Sequence, residues 1–492
     1  MELTIYETIM KLAIERGFYF PSCEIYGDAP AGFWEYGPMG VSLKNKFVAL
    51  WRRELVKRDG MLEIDGSQIM SKSVFLASGH IRNFSDPIIK CTKCGSTFRV
   101  DKFISEQTGK NIPELLADNE IDSIIEENKL KCSRCNGVLG KSSRFNMMFR
   151  VDIGPSFEES YLRPETCQSI FVDFQRIFKT MRGRLPLGIA QIGKSFRNEI
   201  APRQSLLRLR EFYQAEIEVF CNPNKLNDLS KFDDVKNTKL RLFINNLYHE
   251  VSADTALEED LLPNKFIAYY LSLLVMFYNK TGLDVKRTRL RQLSDNEKAF
   301  YASTSFDLEV ETSIGWLELV ACNYRSDFDL KGHSNISKQN LHIIDPENNT
   351  KILPHVFELS MGIDRSIYSI LEHSYLEDIE HDRTVLRLNT VLAPILAGVL
   401  PLVTKDGLRE KAQEIYSQVK LDFDIFYDES GSIGRRYRRL EEIGTPFAIT
   451  IDKQTMADNT VTVRNRDTMT QDRMRVDDVR EFLQNSVKGQ LQ

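Results

Sequence analysis

One ten-residue stretch, EFYQAEIEVF (Glu211–Phe220), constrains the fold of this chain more than any other. Read as a strand, it sends successive side chains to opposite faces. Tyr213, Ala215, Ile217 and Val219 make one face, fit for a core, and Phe212, Gln214, Glu216 and Glu218 make the other. Upstream, QIGKSFRNE puts Gln191, Gly193, Ser195, Arg197 and Glu199 on one side of a second strand. The intervening IAPRQSLLRLR is a loop long enough to fold over a ligand, and it brings Arg203, Arg208 and Arg210.

Guanidinium, carboxylate and phenyl groups on one sheet face suit an anionic, stacking ligand such as a nucleotide. Arg197 would hold a phosphate, because its fork matches phosphate oxygens. Phe212 would stack a base, and Glu216 would take a cationic group. The alternative is a solvated face with cross-strand ion pairs, which does not need Phe212. Two further segments favour the ligand site. HVFELSMGIDRSI (His355–Ile367) places Glu358, Ser360 and Gly362 on one strand face and Arg365 at a helix N-terminus, where anions are favoured. SYLRPETCQSIF (Ser160–Phe171) carries Arg163 and Glu165 just before an amphipathic helix.

A chain of 492 residues has room for two or three domains. Its net charge of −5 gives no global sign of nucleic-acid binding, so any such site must be a local patch. Residues 1–85 open with an amphipathic helix, capped by Thr4 and Glu7 and ended at Gly17. A long helix follows the turn FWEYGPMG and carries Phe47, Leu50, Trp51 and Leu55 on one stripe. Residues 86–145 form an insertion bounded by two Cys-x-x-Cys pairs. Residues 146–388 form a strand-rich core, with a charged, helical insertion at about 221–300. Residues 389–492 alternate strand and helix as a compact α/β domain. The start lacks a signal-peptide pattern, and Val391–Val403 is too short and too broken to span a bilayer, so cytoplasm is the expected location.

Cys91, Cys94, Cys132 and Cys135, with Gly95 and Gly137 close by, have the spacing of a zinc ribbon with an extended middle. Four thiolates would close the shell around a structural Zn²⁺; reduced thiols without metal are the alternative. Cys23, Cys167, Cys221 and Cys322 read as ordinary small side chains. Near the C-terminus, Arg435, Arg436, Arg438 and Arg439 surround Tyr437. They suit either RNA contacts or a helix face paired with Glu441 and Glu442. Asp422, Asp428 and the TVRNRDT strand are expected to shape the fold.

FRNE followed by RLREF, with a late GIDR, resembles motifs 2 and 3 of the class II aminoacyl-tRNA synthetases; YGPMG and its long helix resemble motif 1. RPET, FRNEIAPR, AEIE and IGRRYRRLEEIGTPF narrow the resemblance to the glycyl-tRNA synthetases of the single-chain, α2 homodimeric type, from about Glu7 to Gln484. The resemblance implies an α+β catalytic domain on an antiparallel sheet, with a Cys-rich insertion and a C-terminal α/β anticodon-binding domain. It implies activation of glycine by ATP with Mg²⁺, then transfer to the 3′ end of tRNA-Gly.

It also implies residue roles. Arg197 meets the α-phosphate and Arg365 the γ-phosphate. Glu199 meets the adenine edge, Phe212 stacks on the ring, and Asn198, Leu207, Arg208, Leu209 and Gly362 lie along the ATP. Glu318 helps hold Mg²⁺ and ATP, with Leu319 beside it. Glu165, Gln214, Glu216, Glu358 and Ser360 surround the glycine ammonium, and Arg99 lies near the carboxylate. Cys167 and Ser169 stand where small alanine and glycine are usual, and Leu359 where proline is common. Two other readings differ in their expected chemistry: an accessory RNA-binding protein without adenylation, and a related enzyme for another small amino acid. The presence of Arg197, Glu199 and Arg365 argues against the first, and the three glutamates against the second.

Overall fold

The computed structural model describes residues 3–109, 116–202, 204–295, 297–299, 301–346 and 349–491. Arg203 and the start of the helical middle of the insertion, 112–115, lie outside them. Helix α1 (Ile5–Glu15) starts with Thr4 and Glu7 closing a capping box, as their spacing requires. Helix α2 (Pro38–Trp51) continues through a π-helical turn to Lys57, and Phe47, Leu50, Trp51 and Leu55 are all buried.

A nine-stranded sheet organises the middle of the chain. In chain order it contains β1 (Leu62–Ile64), then, after helix α3 (Cys167–Thr180), β2 (Leu187–Phe196) and β3 (Glu211–Cys221). Strands β4 (Lys239–Ile244) and β5 (Leu247–Ser252), helix α4 (Lys265–Thr281) and strand β6 (Thr288–Gln292) follow. Next come β7 (Thr304–Thr312), β8 (Gly315–Ser326), helix α5 (Phe328–Ser337), β9 (His355–Gly362) and helix α6 (Ile363–Ser374). The spatial order is β5-β4-β6-β7-β8-β9-β3-β2-β1, antiparallel except where β4 meets β6 and β2 meets β1.

Residues 221–300 are therefore not the helical insertion that their charge suggests. Their strands β4, β5 and β6 extend the central sheet, because Leu240, Leu242 and Ile244 alternate onto its buried face. Among the described residues of this segment, only α4 is a long helix, buried against the sheet.

Alternation in β3 divides the sheet cleanly. Ala215, Ile217 and Val219 join a core with Phe47, Phe266 and Ile367 from α2, α4 and α6. On the other face Phe220 stacks on Phe174 of α3 at 3.9 Å between ring centroids, closing that end with apolar side chains. Apart from Phe212, the rest of this face is polar, and Phe212 and Gln214 line a cavity above it.

Of the smaller sheets among the described residues, two belong to the insertion and the C-terminal domain. Ser85–Lys90 pairs with Thr97–Arg99 on one side and Ser143–Asn146 on the other, and carries the Cys pairs at its tip. The C-terminal sheet has five strands, Ile425–Tyr427, Ala397–Pro401, Phe447–Ile451, Thr460–Asn465 and Gln471–Arg475 in spatial order, the first three parallel. Among the described residues no helix is long and apolar enough to cross a membrane.

Candidate active site

Strand register writes the cavity floor. Gln191 of β2 lies opposite Glu216 of β3, which faces Ser360 of β9, then Ala321 of β8, Asp307 of β7 and Arg291 of β6. One step along, Glu218, Glu358, Asn323 and Ser305 make a second row. The cavity above them holds about 410 Å³ and is lined among others by Arg197, Phe212, Glu165, Tyr301, Glu318 and Arg365. Glu199, Leu207, Arg208, Leu209, Gln214, Glu358, Ser360 and Gly362 also line it. Thirteen of the residues read from the sequence thus reach one cavity, although they come from five separate stretches of chain.

At one end the groups suit a nucleotide. Strand β2 stops at Phe196, so Arg197 and Glu199 stand just past it rather than on its face. Arg197 donates Nε to Pro164 O at 3.1 Å and lies 5.3 Å from the centre of the Phe212 ring. Glu199 is paired with Arg208 at 2.5 Å. Arg365, in the first turn of α6, donates to Glu318 O at 3.1 Å and lies 3.5 Å from its carboxylate. Burial, with the negative Glu318 nearby, pushes the Asp307 carboxyl up to about 8.

At the other end, carboxylates crowd together. Glu216 receives Ser360 Oγ at 2.6 Å, Gln214 Nε2 at 3.2 Å and Thr166 Oγ1 at 2.5 Å, and it does not line the cavity. Burial, aided by the charge of Glu165, raises its carboxyl. Glu358 receives Asn323 Nδ2 at 2.6 Å and Arg325 Nη1 at 2.5 Å. Glu218 has neither oxygen partnered by protein, and burial with Glu358 opposite raises its carboxyl far above the usual range. Burial works to raise Glu165 as well, but His80 and Arg325 outweigh it and hold that carboxyl well below the ordinary range.

Several expected positions differ. Leu319 is not beside a ligand but in the core at 1 % exposure. Strand pairing skips it, with Leu308 opposite Val320 and Glu309 opposite Glu318. This bulge turns Leu319 inward and Glu318 to the cavity. Arg99 does not line the cavity; its guanidinium faces Asp86 at 3.4 Å and Asp101 at 2.9 Å. Asn198 contributes its backbone N–H to Met147 O, tying the site to the segment that follows the Cys-rich insertion.

Sequence reasoning missed Arg325, Asn323 and Tyr301. Arg325 sits at a second irregularity in β8, between Tyr324 and Ser326, where Ser326 takes a φ of +52°. It binds Asp329 through two nitrogens at 2.7 and 2.8 Å and stacks on Tyr301 at 3.7 Å. Arg163 was seen in the sequence without a role. It is 1 % exposed and donates to Gly66 O and Lys194 O, lying across Gly193 where a Cβ would clash with it.

Away from the cavity, the sulfurs of Cys91, Cys94, Cys132 and Cys135 all lie within 4.8 Å of one another, a set that can hold a metal ion. A Cβ on Gly137 would clash with Lys93 Cβ at 2.8 Å and press on the sulfurs of Cys135 and Cys91 at 3.1 and 3.2 Å, which accounts for the glycine. Three of the four clustered arginines near the C-terminus serve the fold. Arg436 donates to Pro401 O and Gly431 O, Arg438 pairs with Glu441, and Arg439 pairs with Asp428. Arg435 remains exposed.

Residues 397–486 match the family described as Anticodon binding domain. That domain is one an aminoacyl-tRNA synthetase carries, and relatives along nearly the whole chain place the protein in that class. The chain is 37 % identical to "Glycine--tRNA ligase" of Methanothrix thermoacetophila, with 99 % of this chain and 98 % of that protein covered. It is also 37 % identical to the proteins of that name from Methanocaldococcus jannaschii and Thermococcus gammatolerans, each with 99 % of this chain covered and 100 % and 99 % of the relative. The chain belongs to the glycine–tRNA ligase family.

Proposed function

We infer that this chain joins glycine to tRNA-Gly in two steps. Glycine and ATP give glycyl-adenylate and pyrophosphate; the glycyl group then passes to the 3′ end of tRNA-Gly and AMP leaves. The observation that carries this reading is a single cavity with the Arg197–Phe212 pair at one end and a carboxylate cluster at the other. That arrangement suits a small ammonium compound held next to a nucleotide phosphate. Family membership along the whole chain supports it.

The attacking carboxylate of glycine is already an anion, so positioning and charge stabilisation do the chemistry. Arg197 is fixed through Nε, which leaves both terminal nitrogens for the α-phosphate. Phe212 takes the adenine ring, Glu199 its edge, and Arg208, Leu207, Leu209, Asn198 and Gly362 lie along the nucleotide. Arg365 takes the γ-phosphate. Asp307 and Glu318 offer the hard oxygen donors that Mg²⁺ prefers. Glu165 faces the ammonium directly, while Gln214, Glu216, Glu358 and Ser360 form a braced polar wall against larger side chains. Arg99 and Leu319 fall outside this assignment.

The central sheet is assigned to the class II synthetase type. Domain limits near residues 85, 145 and 388, structural Zn²⁺ on the four cysteines, an α2 homodimer and a cytoplasmic location belong to the same proposal. ATP–pyrophosphate exchange with glycine, alanine and serine, without tRNA, tests it. Exchange with glycine alone is expected. Exchange with alanine or serine at comparable rates would overturn the glycine assignment.

A further inference from the structure

Four buried carboxylates crowd the ammonium end; Glu218 has both oxygens without a protein partner but does not line the cavity. Glu358 and Glu216 each give both oxygens to protein donors. Glu165 differs, because every protein donor converges on one oxygen, Oε1. Gln168 Nε2 lies 2.8 Å from it, Cys167 Sγ 3.0 Å and His80 Nε2 3.5 Å. No described side chain donates to Oε2, and Glu165 lines the cavity.

We propose that His80 is a positioning residue for glycine activation, holding Oε1 of Glu165 from behind so that Oε2 meets the substrate ammonium. The proposal rests on the reading of the cavity as a glycine site. Local structure aims the ring. Gly79, at φ +83°, takes a left-handed turn between the helix Lys72–Ala77 and the short helix His80–Asn83. That turn sends His80 inward, to 6 % exposure. Ser78 Oγ lies 2.8 Å from Nδ1. The carboxylate facing Nε2 rules out the tautomer with a bare Nε2, which leaves a neutral ring accepting from Ser78 or a charged ring donating to it. In both, Nε2 carries a proton directed at Glu165.

The ring cannot swing away. Phe75 and Phe84 pack on it edge-to-face at 6.1 and 5.5 Å. Opposite, His333 Nε2 lies 3.0 Å from Gln168 Oε1, fixing the amide so that Nε2 faces Glu165. The result is a continuous polar line, Ser78–His80–Glu165–Gln168–His333, in which every member is buried. Filling space explains the phenyl contacts of His80, but not the pairing of both its nitrogens.

The test is pyrophosphate exchange with glycine and ATP varied separately, in wild type and in Glu165→Gln, His80→Leu, His80→Gln and Ser78→Ala, with Tm measured for each. His80→Leu keeps the bulk and removes both nitrogens. It is expected to raise the glycine KM by about tenfold or more, since a charge-assisted contact to the ammonium is weakened when Oε2 is no longer held in place, with the ATP KM nearly unchanged. His80→Gln, which can still donate to Glu165, should recover most of that loss. Ser78→Ala should shift the glycine KM in the same direction, and it carries the test if His80→Leu does not fold. A raised glycine KM in Glu165→Gln with wild-type values in the His80 and Ser78 variants would overturn the positioning role. A wild-type glycine KM in Glu165→Gln would instead overturn the glycine reading itself.

Discussion

Arg325 Nη1 lies 2.5 Å from Glu358 Oε1, and neither side chain exposes more than 2 % of its surface. Glu358 is therefore a paired group before any ligand arrives. Its carboxylate helps to build the wall of the pocket, and Asp329 on α5 completes the arrangement by holding two nitrogens of Arg325. Replacing Arg325 with methionine should leave Asp329 without its buried partner and Glu358, already pushed up to about 8 by burial, protonated and short of a donor. The expected loss is about 3–5 kcal/mol, read as a clear fall in Tm. An unchanged melting curve would show that Asp329 and Glu358 are satisfied by some other route.

Arg197 is expected to act mainly in the transition state. Arg197→Ala should lower the rate of pyrophosphate exchange by about 10²–10³, with Tm close to that of wild type. Nε holds only one backbone carbonyl, so the fold loses little. Full exchange activity in this variant would remove Arg197 from the α-phosphate.

Gly193 has no room for a side chain. Its added Cβ would collide with Arg163 Nη2, and Arg163 holds the carbonyls of Gly66 and Lys194. Gly193→Ala should cost about 1–3 kcal/mol through overpacking, visible as a lower midpoint in urea. A variant as stable as wild type would mean that Arg163 can move without loss.

Asp452 gives the C-terminal domain an acid-sensitive contact. Arg473 binds both its oxygens, at 2.7 and 2.9 Å, and pulls its carboxyl down from 3.8 to about 2. A depressed carboxylate adds stability above its unfolded pKa and loses it as pH falls through the folded value. Asp452→Asn should therefore lower stability at pH 7 and flatten its fall between pH 4 and 2. The pair is partly solvated, so the effect is on the order of 1 kcal/mol. Parallel acid-unfolding curves for variant and wild type would contradict this.

The four gathered cysteines should bind one Zn²⁺ per chain. Equilibrium dialysis with metal analysis would show it, and Cys132→Ser should reduce the bound metal sharply. Chelation should raise amide exchange in Ser85–Lys90 and Ser143–Asn146, the strands that carry the cluster. No bound zinc in purified wild type after zinc loading would reject the assignment.

The strand carrying Glu216 was legible because a two-residue period is a local rule: wherever β3 sits, Ala215 and Ile217 face one way and Glu216 and Glu218 the other. The N-terminal cap at Thr4, the gathering of four cysteines and Arg365 in the first turn of α6 follow from spacing in the same way. Leu319 and Arg325 were not legible. Each sits at an irregularity in β8, and its direction depends on how many residues the neighbouring strand sets against it. The segment 221–300 was misread because charged, alternating β4 resembles a solvated helix until its partners in the sheet are known.

Residue types and their periodicity thus specified the chemistry available to this chain: arginines for phosphate, a phenyl ring for a base, carboxylates for an ammonium. Which carboxylate is open was settled only in three dimensions. Glu358 is closed by Arg325 and Glu216 by Ser360, and Glu218, though unpaired, does not line the cavity; Glu165 lines it and keeps Oε2 unpaired. Hydrogen-bond partners 30 to 150 residues apart decide this, because a buried polar atom takes whatever donor packing brings to it.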